Sequence, residues 1–461
     1  MNWASVLMIS VAVGASGYAF QRANTATDTS GKKAPAGPAS ATKMRVPTYA
    51  GDVAKLINDR CVSCHQPGEV GPFSLVGYEN AKRWANMAAF VTERRQMPPW
   101  KAVEGYGEFQ DENRLNDSEI ALLKAWSDAG APRGDAKSEP KAPRPAAKGW
   151  TLGEPDFIAQ PARPYKLAAE GEDVYRHFVV DPKLDKPVYI NAVDVRPGNR
   201  AVVHHVIVFL DRGNSAEKLA AATTDGQEGY SGSGGGVGFV PSGSLGGWAP
   251  GIRARYLPDG TAYRIDPGTK LVLQVHYHKS GKEELDQTKV GVYYSEEPPK
   301  YEMNLNWIFN FGINIPPNEK DHKLRRTYTY GRNVTLYGVM PHMHLIGKSM
   351  KSWLEFPDGS TKPLVHVDDW DFNWQLNYVF KEPIKVPAGT KQHVEAIYDN
   401  STANPRNPNN PPKRITWGEE TNDEMFLMIT QYTVDDAKNV QADWREKIQQ
   451  VLDLPRLNRR G

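Results

Sequence analysis

The chain has 461 residues, a hydrophobic fraction of 39% and a formal net charge of +2. This length predicts about three domains, and the composition excludes a disordered chain and the strongly basic surface of a nucleic-acid-binding protein. The 40 glycines and 35 prolines indicate many turns, which favours a β-rich architecture.

The N-terminal residues 1–25 are predicted to be a signal peptide. The run from Trp3 to Phe20 is mostly apolar or small, with small residues near Gly17 that suit a cleavage site. An uncleaved membrane anchor is the alternative, although the run is marginal in length for a membrane span. In both cases we expect an exported, periplasmic location and no stable membrane span in the rest of the chain. Residues 26–48 are predicted to be a polar linker.

A small all-α domain is predicted over residues 49–135. Its helices are expected over Gly51–Asn58, Glu79–Arg95 and Ser118–Ala129. In the third helix, Ile120, Leu123 and Trp126 recur every three residues, which places them on one apolar face.

This unit contains the stretch Cys61-Val62-Ser63-Cys64-His65. The spacing CxxCH is typical of c-type haem attachment, because two thiols can form thioethers to the porphyrin while the histidine is the proximal iron ligand. These are the only 2 cysteines, so a disulfide framework and a zinc site built from two CxxC pairs are excluded. A redox-active or structural cysteine pair is the alternative. We therefore predict a cytochrome c domain with one covalent haem c.

The sixth iron ligand is predicted to be Met97. Two prolines follow it and hold the loop extended, so that a thioether can be presented to the iron. Met87 is the alternative, but it lies within a predicted helix, where we expect a core position. Histidine–methionine ligation raises the haem potential and suits electron transfer.

The remainder of the chain is predicted to be β. After a Pro/Ala/Lys-rich linker over residues 136–150, short apolar runs recur between turn-forming residues. This pattern predicts two all-β, jelly-roll-like sandwich domains, over residues 151–300 and 301–461. One helix is predicted near the C-terminus, over Ala437–Leu452. The runs predicted as strands are FVVD, VYINAVDV, AVVHHVIVFL, KLVLQVHYH, VGVYYS, NVTLYGVM, KSWLEF, HVEAIYD and EMFLMITQYTV.

Three histidine clusters lie on these strands. They are His204-His205, His276-Tyr277-His278 and His342-Met343-His344. Neighbours on a regular strand point to opposite faces, so the first pair can share one metal only at a strand end or a bulge. Residues two apart share a face, which makes the other pairs possible chelates. One such pair alone is more often structural, but three together predict metal binding.

The motifs HH, VHY, HxHxxGK and DEM occur in this order. In this respect the chain resembles the copper type II, ascorbate-dependent monooxygenases, the family of peptidylglycine α-hydroxylating monooxygenase and dopamine β-monooxygenase. The resemblance covers about residues 160–455. It implies two packed β-sandwich domains that carry one copper each across an open cleft, and an enzyme that hydroxylates a C–H bond with O₂.

Matched motif by motif, the resemblance implies two ligand sets. The electron-supplying copper would be held by His204, His205 and His276, and the catalytic copper, which binds oxygen and substrate, by His342, His344 and Met425. His278 matches no ligand position of the family. A thioether is a soft ligand that favours Cu(I). Zinc is the alternative metal, but Met425 argues against it at the second site.

The chain departs from the family's peptide-amidating members at the substrate site. Those members hold a peptide carboxylate with Arg, Asn and Tyr at the positions that are Met340, Leu427 and Ile429 here. Apolar residues cannot bind a carboxylate. We therefore expect a small organic substrate with an apolar or aromatic C–H bond, not a C-terminal glycine peptide. The disulfides of the animal enzymes are also missing.

The predicted function is a copper-dependent monooxygenase in which the haem relays electrons. The donor would be an ascorbate-like reductant or a periplasmic redox protein. The alternative is a non-catalytic periplasmic copper and haem protein for electron transfer or copper handling. The glycine-rich residues 224–251 are expected to form a flap near the first copper.

Overall fold

The computed structural model describes residues 45–67, 69–142, 149–232 and 236–436. The predicted signal peptide, most of the linker 26–48, part of the linker 136–150 and the predicted helix Ala437–Leu452 lie outside the described residues. Within the described ranges, no helix is both long enough and apolar enough to cross a membrane.

The first described part of the chain is helical. A π-helical turn over Tyr49–Val53 leads into the helices α1 (Ala54–Arg60), α2 (Tyr78–Arg83), α3 (Ala85–Glu93) and α4 (Asp117–Asp128). The second predicted helix is therefore two helices, which meet at Trp84. The ring of this residue stacks on Phe73 at a centroid distance of 4.0 Å. These helices enclose a hydrophobic cluster of their own, which includes Ile57, Leu123 and Trp126.

Helix α4 begins with a capping box. The side chain of Asn116 accepts a hydrogen bond from the backbone N–H of Glu119, and the Glu119 carboxylate accepts one from the backbone N–H of Asn116. This reciprocal pair satisfies N–H groups that have no partner within the helix. It fixes the start of α4 one residue before the predicted start.

Strands dominate the rest of the described chain. The first group is β1 (Phe157–Ala159), β2 (Tyr165–Leu167), β3 (Val174–Val180), β4 (Val188–Arg196), β5 (Val203–Asp211), β6 (Tyr230–Ser231), β7 (Gly243–Trp248), β8 (Thr261–Ile265), β9 (Lys270–Tyr277), β10 (Glu284–Asp286) and β11 (Lys289–Tyr294). The second group is β12 (Tyr301–Phe309), β13 (Asn314–Ile315), β14 (His322–Thr329), β15 (Val334–His342), β16 (Gly347–Glu355), β17 (Thr361–Val367), β18 (Tyr378–Val386), β19 (Lys391–Tyr398), β20 (Ile415–Thr416) and β21 (Leu427–Val434). A short helix, α5 (Ser215–Ala222), follows β5. Every apolar run that predicted a strand contributes to one.

Three large sheets form the β part. An eight-stranded sheet has the order β1-β11-β4-β8-β12-β21-β15-β18, a five-stranded sheet the order β6-β3-β9-β5-β7, and a four-stranded sheet the order β14-β19-β16-β17. The eight-stranded sheet is continuous because β8 and β12 pair in parallel, Thr261 with Tyr301. The predicted β-rich architecture is confirmed, and the two halves of the β part share one sheet.

Each half of the long sheet packs on another sheet through a hydrophobic cluster. The first hydrophobic cluster joins the five-stranded sheet to β1, β4, β8 and β11. The second hydrophobic cluster joins the four-stranded sheet to β12, β15, β18 and β21. Met303 on β12 and Tyr337 on β15 belong to the first cluster, although they lie in the second half. The two sandwiches are therefore joined by side-chain packing as well as by the backbone.

The glycine-rich residues 224–251 differ from the expected flap. They include β6 and β7, which are edge strands of the five-stranded sheet. Gly247 lies so close to β5 that a Cβ atom there would be 2.1 Å from the carbonyl oxygen of Val206. This glycine therefore allows β7 to pair closely with β5.

Candidate functional site

The first histidine cluster is formed by a β-bulge. The pairing of β5 with β9 shifts register between Val203 and His205, at the start of β5. A bulge adds a residue to one strand and redirects its side chains, so that Nδ1 of His204 lies 3.2 Å from Nδ1 of His205. His276 on β9 lies directly opposite His205. One ring nitrogen from each of the three histidines lies within 4.8 Å of the others.

Asp173 orients the third histidine of this cluster. Its Oδ2 lies 2.9 Å from Nε2 of His276 and its Oδ1 lies 2.9 Å from Nδ1 of His278. Burial opposes ionisation of Asp173, but the hydrogen bonds from both histidines lower its pKa overall. The Nδ1 of His276 is buried and has no hydrogen-bond partner among the described residues. A carboxylate on one nitrogen and a free second nitrogen is the usual arrangement of a metal-bound histidine. His278 is thus connected to the first histidine cluster by its hydrogen bond to Asp173.

The second cluster begins at the end of β15. His342 is the last residue of this strand and lies opposite Leu427 of β21. The carboxylate of Glu424 accepts hydrogen bonds from the backbone N–H groups of His344 and Met425, at 2.8 and 3.1 Å, and from that of Ile346, at 2.9 Å. These bonds hold the DEM segment against the HxH turn.

The second cluster leaves one nitrogen of each histidine free. Nδ1 of His342 lies 2.6 Å from Oε1 of Gln375, and Nδ1 of His344 lies 3.2 Å from the carbonyl oxygen of Asp423. In both rings, Nε2 is therefore the nitrogen that remains for a ligand. Met425 lines the same cavity as both histidines, and its backbone N–H shares the Glu424 carboxylate with that of His344.

The two clusters are adjacent. The ring centroids of His205 and His342 are 6.3 Å apart at an interplanar angle of 87°. Phe372 stacks on His204 at 4.5 Å and meets His344 edge-on at 5.6 Å. The open cleft that the resemblance implies is not found between these rings.

Contacts between the two sandwiches explain this closeness. The hydroxyl of Thr421, in the loop before the DEM segment, donates a hydrogen bond to Asp173. The hydroxyl of Tyr175 donates to the carbonyl oxygen of Glu419 at 2.5 Å. The ring of Tyr175 also stacks on that of His276, at a centroid distance of 4.1 Å. The loop that leads to Met425 is therefore hydrogen-bonded to residues that contact the first histidine cluster.

Burial keeps the clustered histidines neutral. Desolvation, with a smaller effect of the neighbouring imidazoles, lowers the pKa of His204 to about 3 and the pKa of His205 well below its usual value. Desolvation likewise lowers the pKa of His342 to about 4, and lowers that of His344 strongly. The neutral imidazole is the form that binds a metal ion.

The CxxCH motif follows α1 and contains two free thiols. Nδ1 of His65 lies 3.2 Å from the carbonyl oxygen of Phe73, which leaves Nε2 for another partner. The segment around Gly71 packs closely on the imidazole ring of His65, because a Cβ atom at Gly71 would lie 2.7 Å from Nδ1 of His65. Burial, with a smaller effect of the neighbouring Cys64, raises the pKa of Cys61 to about 12.

The two methionines considered as the sixth iron ligand lie in different surroundings. Met97 follows α3 and is half-buried. Met87 lies on α3 with 49% of its surface exposed, and Phe90, one turn later, is 48% exposed. The expected core position of Met87 is therefore wrong: α3 is in contact with α4, and its buried residues are the small Ala85, Ala89 and Thr92.

The helical unit is in contact with the first sandwich near the CxxCH motif. Arg196 and Arg200 form ion pairs with Glu69, at 3.0 and 3.4 Å. Arg253 donates a hydrogen bond to the hydroxyl of Ser63, between the two cysteines, at 2.7 Å. These contacts place the motif against the end of β4 and the loop that follows β7.

The helical unit also contacts the second sandwich. Ala102 and Phe109, which follow α3, belong to the second hydrophobic cluster. Ala102 forms a β-bridge with Val367, and Phe109 forms one with Phe380. The segment after α3 is thus part of the second sandwich in its packing.

A cavity of about 1470 Å³ joins these elements. Its wall includes Cys64 and Trp100 from the helical unit, His205 from the first cluster, and His342 and Met425 from the second. The motif residue Cys64 and both histidine clusters therefore face a common space.

Several residues around the site were missed in the sequence. Asp173 and Gln375 had no motif of their own, because only the folded chain brings them to the histidines, and Glu424 was part of the DEM motif but was given no role. Trp307 and Phe309 on β12 also line the cavity. The alternation of apolar residues in Tyr301–Phe309 would have predicted this strand.

No known protein-family model matches this sequence, and no curated protein sequence matches it. Among solved structures, the chain is similar to the infectious bursal disease virus Gx strain structure, with 7% identity over 66% of this chain and 77% of that chain and a TM-score of 0.19. It is also similar to PNGF-II, with 9% identity over 60% and 64% and a TM-score of 0.23. A third similarity is to the major capsid protein P2 of bacteriophage PM2, with 9% identity over 61% and 98% and a TM-score of 0.22. TM-scores this low define no common fold.

Proposed function

We propose that this protein is a copper-dependent monooxygenase that hydroxylates a C–H bond of a small organic substrate with O₂. The observation that carries the proposal is the pair of adjacent clusters, one of three histidines and one of two, on a cavity that Met425 also lines. Two metal ions that each store one electron match the two electrons that hydroxylation by O₂ consumes.

The residues present fit copper. In the first cluster, His204, His205 and His276 offer three neutral imidazoles, and the buried Nδ1 of His276 lacks a partner among the described residues. In the second, His342 and His344 would act with the thioether of Met425, which favours Cu(I) over zinc. Copper held in this way supplies one-electron redox chemistry and the activation of O₂.

Surrounding residues hold these ligands in the required form. Asp173 accepts a hydrogen bond from Nε2 of His276, and Gln375 accepts one from Nδ1 of His342. Each acceptor fixes the tautomer of its histidine and directs the other nitrogen towards the site. The carboxylate of Glu424 fixes the backbone of the HxH turn.

We further propose that residues 49–135 form a small all-α cytochrome c domain. Cys61 and Cys64 would hold one haem c as thioethers, His65 would be its proximal ligand, and Met97 its sixth ligand. The carbonyl of Phe73 on Nδ1 of His65 suits such a ligand. The raised pKa of Cys61 disfavours the thiolate that a redox-active cysteine pair uses.

The haem would supply electrons to the histidine-only copper site. Cys64 and His205 line one cavity, which supports this role. An ascorbate-like reductant or a periplasmic redox protein would be the donor. Covalent haem attachment and the predicted signal peptide both favour an exported protein, and the residues 151–300 and 301–461 would be its two copper-binding, jelly-roll-like sandwiches.

The test uses the full chain, produced in a host that attaches c-type haem. Metal analysis should give two coppers and one haem per chain, and turnover under ¹⁸O₂ with apolar candidate substrates should give a product hydroxyl that contains ¹⁸O. The variant His344→Ala should lose this product, whereas His322→Ala, a histidine outside both clusters, should keep it. Peroxide without labelled product would favour the non-catalytic electron-transfer alternative, and zinc at both sites would exclude both functions.

A further inference from the structure

The cavity wall beside His342 is a regular platform of side chains. The strands β12, β21 and β15 are antiparallel neighbours, so directly opposite residues share one face of the sheet. Three rows result. They are His342, Leu427 and Phe309; Met340, Ile429 and Trp307; and Gly338, Gln431 and Leu305.

The size of the platform follows from sheet geometry. Rows two residues apart along a strand are separated by about 7 Å, and neighbouring strands by about 5 Å. The platform therefore extends about 14 Å from the His342 row to the Gln431 row and about 10 Å across. Except for Gly338, all of its residues line the cavity.

The chemistry of the platform is uniform between its two ends. Beyond His342, the first two rows present aliphatic, thioether and aromatic groups, and none of the nine described residues is charged. The aromatic surface continues beyond the rows, because Phe311 stacks on Phe309 at 5.1 Å and Phe209 lies 5.9 Å from Trp307. Gln431, in the third row, is the polar group at the far end.

Two arginines of the cavity wall, Arg212 and Arg264, have partners of opposite charge. Arg212 and Arg264 both pair with Asp266, at 2.9 and 2.7 Å, and Arg264 also pairs with Glu302, at 3.6 Å. Since no residue of the three rows is charged and these two arginines are already paired, a charged ligand on the platform would lose its hydration without gaining a counter-ion from them, which is costly.

We propose that this platform binds an uncharged, largely hydrocarbon substrate of about 10–14 Å, with the C–H bond to be hydroxylated over the His342 row and one neutral polar group at Gln431. This inference rests on the proposed monooxygenase function and adds the substrate class to it. Hydrophobic contact with Ile429, Leu427 and the aromatic rings provides the binding energy. The amide of Gln431 orients the molecule.

The test compares 1-decanol with decanoate, two probes with the same ten-carbon chain and different charge. Binding to the full-length protein with its haem and copper is measured by calorimetry, without turnover. The alcohol should bind on the order of 100-fold more tightly than the carboxylate, because the platform offers no partner for a charge. Equal binding of the two probes, tighter binding of decanoate, or no binding of 1-decanol up to its solubility would each overturn the inference.

Two variants sharpen this comparison. Ile429→Arg puts a cation in the middle row and should reverse the preference in favour of decanoate, whereas Leu285→Arg, which also replaces an apolar residue by arginine but at an exposed strand position outside the cavity, should leave it unchanged. Gln431→Leu should weaken 1-decanol binding about 2–10-fold, the contribution of one hydrogen bond. Since it introduces no charge, it remains informative if Ile429→Arg does not fold.

The inference and the proposed function can fail separately. If the preference for 1-decanol holds but no ¹⁸O-labelled product forms from any apolar substrate, the platform binds as proposed and the monooxygenase function is wrong. If labelled product forms from a carboxylate substrate and decanoate binds preferentially, the function stands and the platform inference is wrong.

Discussion

Glu424 connects the two parts of the second cluster through a single carboxylate. It is fully buried and accepts hydrogen bonds from the backbone N–H groups of His344, Ile346 and Met425. Burial raises its pKa to about 8, although the backbone donors act in the opposite direction. These contacts reach the cluster through its backbone and not through the ring nitrogens of its histidines, so we regard Glu424 as a positioning residue.

Replacement of Glu424 by Leu should weaken the second cluster. The leucine side chain accepts no hydrogen bond, so the backbone N–H groups of His344, Ile346 and Met425 lose their partner in either protonation state of Glu424, and we expect a loss of about 1–3 kcal/mol in the free energy of unfolding for each N–H left buried. Urea denaturation measures this loss, and metal analysis should show reduced copper at one site only. The exposed control Glu382→Leu should change neither quantity, and unchanged stability of Glu424→Leu would contradict this role.

Replacement of Met425 by Leu should remove the soft ligand with little change in volume. We expect Cu(I) binding at the second site to weaken at least about tenfold, since even the loss of an outer partner of a ligand has this effect. Titration of Cu(I) against a competing chelator should show one weakened site and one unchanged site. Met350→Leu, in the second hydrophobic cluster, is the matched control. If both variants bind two Cu(I) ions equally well, Met425 is not a ligand.

At the scale of elements, the contact between the CxxCH loop and the first sandwich depends on arginines. Arg196 on β4 and Arg200, after this strand, share Glu69, and their side chains are only 16% and 21% exposed. Ion pairs that are partly buried are screened less by salt than fully exposed pairs. The first sandwich therefore holds the loop through charge as well as through the hydrogen bond of Arg253 to Ser63.

The substitution Glu69→Gln should loosen this contact without unfolding the helical unit. Loss of the charge should cost about 1 kcal/mol, so amide hydrogen exchange in the CxxCH loop should become roughly fivefold faster. Asp59→Asn removes an exposed carboxylate that pairs with Lys55 on α1 and should leave exchange in the loop unchanged. Equal exchange in the wild type and in Glu69→Gln would show that the ion pairs do not hold the loop.

At the scale of the whole molecule, the two sandwiches are not independent. They share the eight-stranded sheet, and Met303 on β12, in the second half of the β part, is buried in the hydrophobic cluster of the first sandwich. A separate domain would end its core at its own boundary, whereas here the core crosses from β8 to β12. We therefore expect the β part to unfold as one cooperative unit.

The substitution Met303→Ala tests this cooperativity. Truncation of a buried methionine should cost about 2–5 kcal/mol, and calorimetry should show a single β transition that moves as a whole to lower temperature. Two separate transitions, of which only one moves, would show that the sandwiches unfold independently. Ile158→Ala, at a 38% exposed position on β1, should have a much smaller effect.

The sequence alone determined the elements and the chemistry of single residues. Short apolar runs predicted strands because alternation and turn residues act locally, and all of the predicted runs contribute to strands. The CxxCH spacing and the histidine pairs were visible because their members are neighbours in the chain. The bulge at His204 was anticipated as a condition, since neighbours on a regular strand cannot share one metal.

Only the tertiary structure decided which distant residues meet. Asp173 and Thr421, or Gln375 and His342, are far apart in the chain and carry no local pattern, so their pairing depends on how the sheets pack. The same holds for the adjacency of the two histidine clusters and for the platform, whose rows follow from the register of three strands. Local sequence fixes backbone preference and side-chain chemistry, whereas long-range packing and strand register fix distance.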